Sequence, residues 1–559
     1  MNKVRELFNK FEKSKYINIY TFIIFCFVLV LFKPIIFHYF DGDDTRFHLA
    51  NIAARSGNYF DKILPIIGNN LGYGIGIFYP VLPHAIGGFV LSIISDFGFS
   101  EVMAIKIVKF ILVFLSGISV YVLASKIFKN KLKGMFASLF YISSNYLFVD
   151  ILMRDSFNES FMFLFVPIIF LGLYYLLIED NVNKFYIFFI LGCVGLMYSH
   201  LVLSVWFTIL LIPFLLVNYK DLFKKYLKPL LLSGLIILIL TSTYTVPLIE
   251  HKMFGEYTIF NTVNDKIPWT LPIYNFIIQC NYKLSGENSI LFINFIPLVS
   301  ILFVLGVVRL FKDKDSNYKY LLGILFTGVL GALFTSIAFI WNIVPNFLFN
   351  IQFAWRLVCF VVFMVSIIAA NGLFYFFNIF KKKYLIFAYL FIGFVLISAV
   401  YNNILLVRPT DIPSNDVSRN GMGWQREYLP VNTQNNLDYF ESRKDDEVII
   451  LNGKGSVKIK NNNVPNMEIE VKDSNEKTTL EIPRLYYLGY DITYSGEKIN
   501  YNEDKNGFIS FKANKDGIYN IKYLGTKGYI IALYIKIITI AFLIIYAFYK
   551  FKNRKNMVK

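Results

Sequence analysis

The sequence predicts a polytopic α-helical membrane protein, with about twelve transmembrane helices and a small extracytoplasmic β-sandwich before the last helix. The 559 residues are 56% hydrophobic and only 17% charged, whereas soluble domains are about 45–50% apolar and about 25% charged. Apolar stretches of about 20 residues recur along the chain, and each is long enough to cross a bilayer core. This composition excludes both a disordered chain and a single soluble domain.

The predicted spans lie between short basic clusters, which set the topology under the positive-inside rule. Those clusters place both termini in the cytoplasm and explain the net charge of +17. No separate basic domain exists that would bind nucleic acid. The spans are expected at residues 17–37, 102–127, 135–152, 161–178, 185–200, 201–219, 229–249, 290–311, 320–341, 357–380, 384–406 and 529–549.

A long first external loop, 38–101, contains a further apolar stretch at 79–95. If this stretch crossed the membrane, the lysines at 126–133 would lie outside and every later basic loop would invert. We therefore predict a re-entrant or interfacial segment, and Pro80 and Pro83 suit a broken helix there. The transmembrane domain is expected to span 1–406.

A second external segment, 407–527, differs in composition from the rest of the chain. Polar and apolar residues alternate in short runs such as 455–460, 467–472 and 507–512, and turn residues separate the runs. Period-two alternation of this kind predicts an antiparallel β-sandwich. Trp424 would either belong to its core, which we favour, or stack on a sugar. Residues 528–559 would form the last helix and a basic tail.

Three aspartates, Asp41, Asp43 and Asp44, follow the first predicted span directly. Carboxylates clustered at a membrane surface repel each other and indicate a functional site. Asp43 and Asp44 could hold a divalent cation such as Mg²⁺ or Mn²⁺. Alternatively, one carboxylate could have a raised pKa and act as a general base. A solvated loop, or a helix cap ahead of His48, would explain the same residues.

Further polar groups lie at the outer ends of predicted spans. An arginine in this position can bind a phosphate through two parallel hydrogen bonds, and a histidine there can carry a proton. The alternatives are carboxylates that favour a helix N-terminus and arginines that anchor a helix at the interface. Lys106 and Lys109 could also meet a lipid phosphate. The group comprises Arg154, Asp155, Glu159, His200, Trp355 and Arg356.

Six stretches, in order, resemble the bacterial GT-C membrane glycosyltransferases, in particular the "6-pyruvoyl-tetrahydropterin synthase-related" membrane proteins and their YfhO-like relatives. The resemblance covers most of the chain. Ala354 and Val81 stand where the family tends to have proline, and these changes affect helix geometry more than charge. The stretches are GDDTRFHLANI (42–52), GYGIGIFYPVLPH (72–84), MRDSFNESFMFLFVPIIF (153–170), MYSHLVLS (197–204), QFAWRLV (352–358) and IPRLYYLGYDITYSGEK (482–498).

The resemblance implies that a sugar moves from a polyprenyl-phosphate donor to a polymer, glycolipid or protein of the cell envelope. The reaction would take place on the outer side of a bacterial cell membrane. It implies a catalytic acidic residue in the first loop, Asp44, with Asp43 and Asp41 as alternatives, which would deprotonate an acceptor hydroxyl or hold a cation near the donor phosphate. Arg356 and Arg154 would bind the donor phosphate. The rest of the cleft would be His48, Asp155, Glu159, His200 and Trp355.

Two other functions are compatible with the same composition. A flippase for a lipid-linked saccharide predicts charges within several spans and discontinuous helices. A non-catalytic assembly factor predicts that the β-rich segment matters as much as Asp44. The acidic groups gather at one face of the predicted membrane domain, which favours surface chemistry over transport.

Overall fold

A computed structural model describes residues 18–65, 70–261, 268–277, 280–284, 287–291, 294–314, 317–377, 385–406, 422–423 and 426–557. Within these residues, eight helices are long and apolar enough to cross a membrane, or ten if two bent helix pairs each count as one span. The chain is therefore a multi-pass membrane protein. Each predicted apolar run overlaps a helix, but Pro297–Lys312 has only 16 residues. The number twelve stays a prediction.

The helices that meet the spanning criteria are Ile19–Phe37, Glu101–Ile127, Phe157–Leu177, Val182–Ser199, Leu227–Phe254, Tyr318–Ser336, Ala354–Tyr375 and Lys527–Tyr549. The bent pairs are Lys131–Ile142 with Asn145–Met153, and Leu201–Val217 with Tyr219–Lys225. Other helices are Thr45–Ala54, Ile75–Phe78, Leu82–Ile94, Thr258–Asn261, Leu385–Leu406, Val431–Asn435 and Leu437–Ser442.

The described residues divide into two compact units. The helical unit comprises Met1–Thr45, Phe97–Ser233 and Asn264–Ile412. The mixed unit comprises Arg46–Asp96, Gly234–Val263 and Pro413–Lys559. Each unit is described separately below.

Close helix packing holds the helical unit together. The helix Pro297–Lys312 lies beside Val358–Phe377, which is the α-helical part of the span that begins at Ala354. Glycines let the two backbones approach closely. A Cβ on Gly372 would lie 1.9 Å from the carbonyl oxygen of Leu302, and one on Gly306 would lie 2.0 Å from that of Ile368. Small residues at such contacts are the usual means by which membrane helices pack tightly.

A π-helical turn, Val149–Met153, ends the second half of the bent pair that begins at Lys131. The two halves of this pair meet at 47°. Irregular turns of this type are frequent at functional sites. Here the turn leads directly into Arg154 and Asp155.

The mixed unit contains two antiparallel sheets, which confirms that the C-terminal part of the chain is β-rich. The strands are β1 Cys280–Leu284, β2 Glu287–Leu291, β3 Ile449–Asn452, β4 Ser456–Asn463, β5 Asn466–Lys472, β6 Thr479–Leu485, β7 Tyr490–Tyr494, β8 Glu497–Ile499, β9 Tyr501–Glu503, β10 Phe508–Lys512 and β11 Gly517–Tyr523. One sheet of the mixed unit has the strand order β3-β6-β10-β9 and the other β4-β5-β11-β7-β8. A separate hairpin in the helical unit pairs β1 with β2.

The two larger sheets share one apolar core. Ile482 and Ile509 of one sheet and Ile469 and Ile521 of the other are fully buried in the same cluster, as expected for two packed sheets. Residues of the first loop, including Tyr73, join that cluster. The tyrosine hydroxyl donates a 3.0 Å hydrogen bond to the carbonyl of Met422. The part of the first loop from Arg46 to Asp96 therefore belongs to the same compact unit as the β-rich segment.

The apolar stretch of the first loop forms the helix Leu82–Ile94, which has 13 residues. A short 3₁₀ turn, Ser95–Phe97, follows it. About 20 residues are needed to cross a bilayer core. The length of this helix is in keeping with the predicted re-entrant or interfacial segment.

Candidate active site

The loop that carries the three aspartates follows the first spanning helix and is held by its backbone. The amide of Asp43 donates to the carbonyl of Met153 over 3.1 Å, and the amide of Asp44 donates to the carbonyl of Arg154 over 2.8 Å. Gly42 allows this approach, because a Cβ there would lie 2.6 Å from the carbonyl oxygen of Leu152. The position of Asp44 is thus fixed against the turn that follows the π-helix.

The three aspartates have different surroundings. Asp41 accepts a 3.4 Å hydrogen bond from the hydroxyl of Tyr39. Within the described residues, the carboxylates of Asp43 and Asp44 accept no hydrogen bond and form no ion pair. Two of the three carboxylates are therefore available to a substrate or a cation.

The carboxyl group of Asp44 has an unusual environment. Asp44 is exposed at the surface of the protein, yet protein atoms crowd around its carboxyl group, and this partial desolvation raises its pKa to about 6. The nearby charges of Arg154 and Arg356 oppose this rise, because each favours the ionised carboxylate. Desolvation also raises the pKa of Asp43, and the charge of Arg154 opposes this rise. Asp44 therefore changes charge close to physiological pH.

A buried ion cluster lies at the outer end of the bent helix pair. The Nη1 of Arg154 is 2.8 Å from Oδ1 of Asp150 and 2.9 Å from Oε2 of Glu159. The hydroxyl of Tyr146 donates to Oε1 of Glu159 over 2.9 Å. The guanidinium of Arg154 lies 4.7 Å from the ring centroid of Trp355. Two carboxylates thus already balance Arg154, which makes it a fixed part of the cluster.

Arg356 is held less completely. Its Nε lies 3.4 Å from Oε2 of Glu159, its Nη1 donates to the carbonyl of Ile351 over 3.1 Å, and its guanidinium lies 5.4 Å from the ring of Phe353. Within the part of the chain that the structure describes, Nη2 has no protein partner. Arg356 can therefore offer this group to a phosphate, more readily than Arg154 can.

His200 connects two helices. It ends Val182–Ser199 and caps Leu201–Leu210, where its Nδ1 accepts a hydrogen bond from the amide of Leu203 over 3.3 Å. A ring nitrogen that accepts carries no proton, so in the neutral ring the proton is assigned to Nε2. Electrostatic interactions link His200 to Glu159 and Arg356. The ring can donate one hydrogen bond from Nε2.

The other predicted cleft residues have different partners. His48 belongs to the mixed unit, where its Nδ1 lies 2.8 Å from Nε2 of His84 and both rings are buried. Asp155 pairs with Lys109 over 2.6 Å, and both side chains are buried. Lys109 therefore does not lie open to a lipid phosphate as the sequence suggested. Trp424 lies outside the described residues.

Two members of the ion cluster, Asp150 and Tyr146, are absent from the sequence-based prediction. Asp150 carried a recognisable signal, because it is an acidic residue inside an apolar run and an arginine follows four residues later. Tyr146 carried none, since aromatic residues occur throughout the chain.

The described residues contain no group of three or more His, Cys, Asp or Glu side chains that could hold a metal ion. Asp43 and Asp44 supply two carboxylates. Magnesium is commonly bound through one or two carboxylates together with substrate phosphate and water. A cation at this loop would therefore need ligands from the substrate.

No protein-family model and no curated protein matches the chain. Among solved structures, it is similar to ArnT from Cupriavidus metallidurans bound to undecaprenyl phosphate, with 12% identity, a TM-score of 0.43 and coverage of 63% of this chain. It is also similar to the archaeal oligosaccharyltransferase AglB from Archaeoglobus fulgidus in complex with an inhibitory peptide and a dolichol-phosphate, with 13% identity, a TM-score of 0.45 and coverage of 77%. The chain spans 59% and 60% of these structures, respectively. Similarity at this level assigns no reaction to the chain.

Proposed function

We propose that the chain is a membrane glycosyltransferase that moves a sugar from a polyprenyl-phosphate donor to an acceptor of the cell envelope. The acceptor would be a polymer, a glycolipid or a protein on the extracytoplasmic side. One observation carries the proposal. The carboxylate of Asp44 has no partner among the described residues, is held by a backbone hydrogen bond, and interacts electrostatically with Arg154 and Arg356.

Asp44 is proposed as the general base. It would take the proton from an acceptor hydroxyl while that oxygen attacks the anomeric carbon of the donor. The bond between the anomeric carbon and the phosphate oxygen breaks, and polyprenyl phosphate leaves with the electron pair. A general base works best when its pKa lies near the operating pH, and a pKa of about 6 meets this requirement.

Arg356 is proposed to bind the donor phosphate. Its Nη2 has no partner within the described residues, and a guanidinium stabilises the negative charge that grows on a leaving phosphate. Arg154 would act differently, because Asp150 and Glu159 already occupy its Nη1. Its proposed role is to keep Glu159 in place, and Glu159 in turn orients Arg356.

A second role for the aspartates is to hold a divalent cation, Mg²⁺ or Mn²⁺, next to the donor phosphate. Asp43 and Asp44 would be its protein ligands. This role is distinguished from the base role by chelation. Loss of transfer in EDTA, with recovery on adding Mg²⁺ or Mn²⁺, assigns the pair to a cation, whereas transfer unaffected by EDTA assigns Asp44 to base catalysis.

The proposal is tested with purified protein in liposomes that contain a radiolabelled polyprenyl-phosphate sugar and an envelope extract as acceptor. We expect transfer by the wild type, loss of at least about 10² in rate for Asp44→Asn, and near-normal transfer for Asp180→Asn as a surface control. Transfer by Asp44→Asn at the wild-type rate would refute the assignment. Movement of the lipid-linked sugar across the bilayer without transfer would establish a flippase instead.

A further inference from the structure

One ion pair and two hydrogen bonds connect a buried lysine to the aspartate loop. The Nζ of Lys109 lies 2.6 Å from Oδ1 of Asp155. The other oxygen of Asp155, Oδ2, accepts a 2.6 Å hydrogen bond from the hydroxyl of Thr45. The same hydroxyl accepts a 2.8 Å hydrogen bond from the amide of Gly42. The chain therefore ends on the loop that carries Asp44.

The direction of these bonds is fixed by chemistry. A hydroxyl has one proton, and Thr45 gives it to Asp155, so its lone pairs are available to the amide of Gly42. Asp155 accepts this bond through Oδ2, while its Oδ1 faces the ammonium of Lys109. Thr45, Asp155 and Lys109 are all buried, so water does not readily replace any of these bonds.

The backbone at Asp155 supports the same arrangement. Asp155 has a φ of 50°, a left-handed conformation that is uncommon for residues other than glycine. In this conformation the carbonyl of Met153 accepts a hydrogen bond from the amide of Asp43, and the carbonyl of Arg154 accepts one from the amide of Asp44. One short segment thus holds the aspartate loop through two backbone bonds and one side-chain bond.

We infer that Thr45, Asp155 and Lys109 are positioning residues that hold Asp44 at the distance and angle required for catalysis. This inference rests on the proposed function, because it assigns these residues a role in the reaction of Asp44. None of the three needs to contact the substrate. Asp155, which the sequence suggested as a cleft residue, would act through Thr45.

Thr45→Val is the most informative variant, because valine has the shape of threonine but cannot donate or accept a hydrogen bond. A reacting group displaced by about 1 Å can lose about 10² in rate. We expect Thr45→Val to reduce kcat by about 10- to 100-fold with little change in KM for the donor. Thr45→Ser keeps the hydroxyl and is expected to recover most of kcat.

Thr327→Val provides the matched control. The hydroxyl of Thr327 is buried in the helix Tyr318–Ser336 and has no hydrogen-bond partner within the described residues. Valine there removes a hydroxyl of the same kind without breaking a bond to the loop. We expect its kcat to equal that of the wild type.

A second measurement separates positioning from a general loss of stability. Thermal unfolding in detergent is measured for Thr45→Val, Thr45→Ser and Thr327→Val. We expect the melting temperature of Thr45→Val to lie close to that of Thr327→Val, although only Thr45→Val loses kcat and Thr45→Ser recovers it. A loss of kcat in Thr45→Val that accompanies a lower melting temperature, and that Thr45→Ser does not recover, would overturn the positioning role.

The proposed function and this inference fail in different ways. If Asp44→Asn transfers sugar normally, the proposed function fails regardless of Thr45. If Asp44→Asn is inactive while Thr45→Val has the wild-type kcat, the proposed function stands and the positioning role is refuted.

Discussion

The pKa of Asp44 makes the pH dependence of sugar transfer a direct probe of its role. Burial raises this pKa to about 6, so the folded pKa lies above that of an ordinary aspartate. A general base must be ionised, and transfer should therefore fall as the pH drops through about 6. An aspartate with its ordinary pKa would stay ionised down to about pH 4.

The size of the effect follows from the ionised fraction. With a pKa of about 6, Asp44 is roughly 97% ionised at pH 7.5 and roughly 9% ionised at pH 5. The rate should therefore fall about tenfold between these two values. Arg356 lowers this pKa, so Arg356→Gln should raise the midpoint of the acidic limb, in addition to weakening donor binding.

The assay is transfer of a radiolabelled sugar in liposomes at saturating donor, measured at half-unit steps from pH 4.5 to 8. Arg309→Gln is the matched control, because Arg309 pairs with Asp313 and no interaction links it to Asp44 within the described residues. We expect its midpoint to remain at about 6. A rate that stays constant from pH 7.5 to 5 in the wild type would refute Asp44 as a base with a raised pKa.

Three further outcomes are expected. Gly42→Ala should abolish sugar transfer while the protein remains at its normal level in the membrane, because the new Cβ would lie 2.6 Å from the carbonyl oxygen of Leu152. Gly234→Ala is the control, since a Cβ there meets no atom within 4 Å, and it should be neutral. Radiolabelled transfer and immunoblots of membranes check both variants. Glu159→Gln should destabilise the protein by about 3–5 kcal/mol, because it leaves buried charge without its partner. Asp180→Asn, in an exposed pair, should leave the stability close to that of the wild type, because exposed ion pairs contribute little. Thermal unfolding in detergent measures both effects. Arg356→Lys should raise KM for the lipid-linked donor about tenfold with a smaller change in kcat, because lysine lacks the two parallel N–H donors of a guanidinium. Initial rates measured against donor concentration test this expectation.

Much of the fold could be predicted because the membrane imposes length and composition on each helix. The first spanning helix was expected at 17–37 and occurs at Ile19–Phe37. The period-two alternation likewise located strands such as β5 and β10. The strand β6 was not predicted because Pro483 interrupts the alternation of polar and apolar residues along it, and a proline inside such a run argues against a strand.

The site could be predicted only in part. The sequence placed four charged residues at one face of the membrane domain: Asp44, Arg154, Glu159 and Arg356. The structure shows that these groups interact electrostatically. The pairing of Arg154 with Asp150 was not predicted, although the two residues have the i,i+4 spacing that is typical of ion pairs on a helix. The π-helical turn between them, Val149–Met153, leaves no comparable signal in the sequence.

The grouping of the first loop with the β-rich segment was also beyond the sequence. The contacts involved are long-range, such as the hydrogen bond from Tyr73 to Met422. Periodicity describes how one segment buries its own face, but it does not identify which distant segment covers that face.

The most direct test of the central claim compares two strains that contain equal membrane levels of the wild-type protein or of Asp44→Ala. The sugar content of the purified envelope polymers and the pool of polyprenyl-phosphate sugar are measured in both. We predict that the Asp44→Ala strain loses one sugar from an envelope component and accumulates the corresponding lipid-linked donor. Unchanged envelope sugars together with an unchanged donor pool would contradict the claim that this chain is a glycosyltransferase that depends on Asp44.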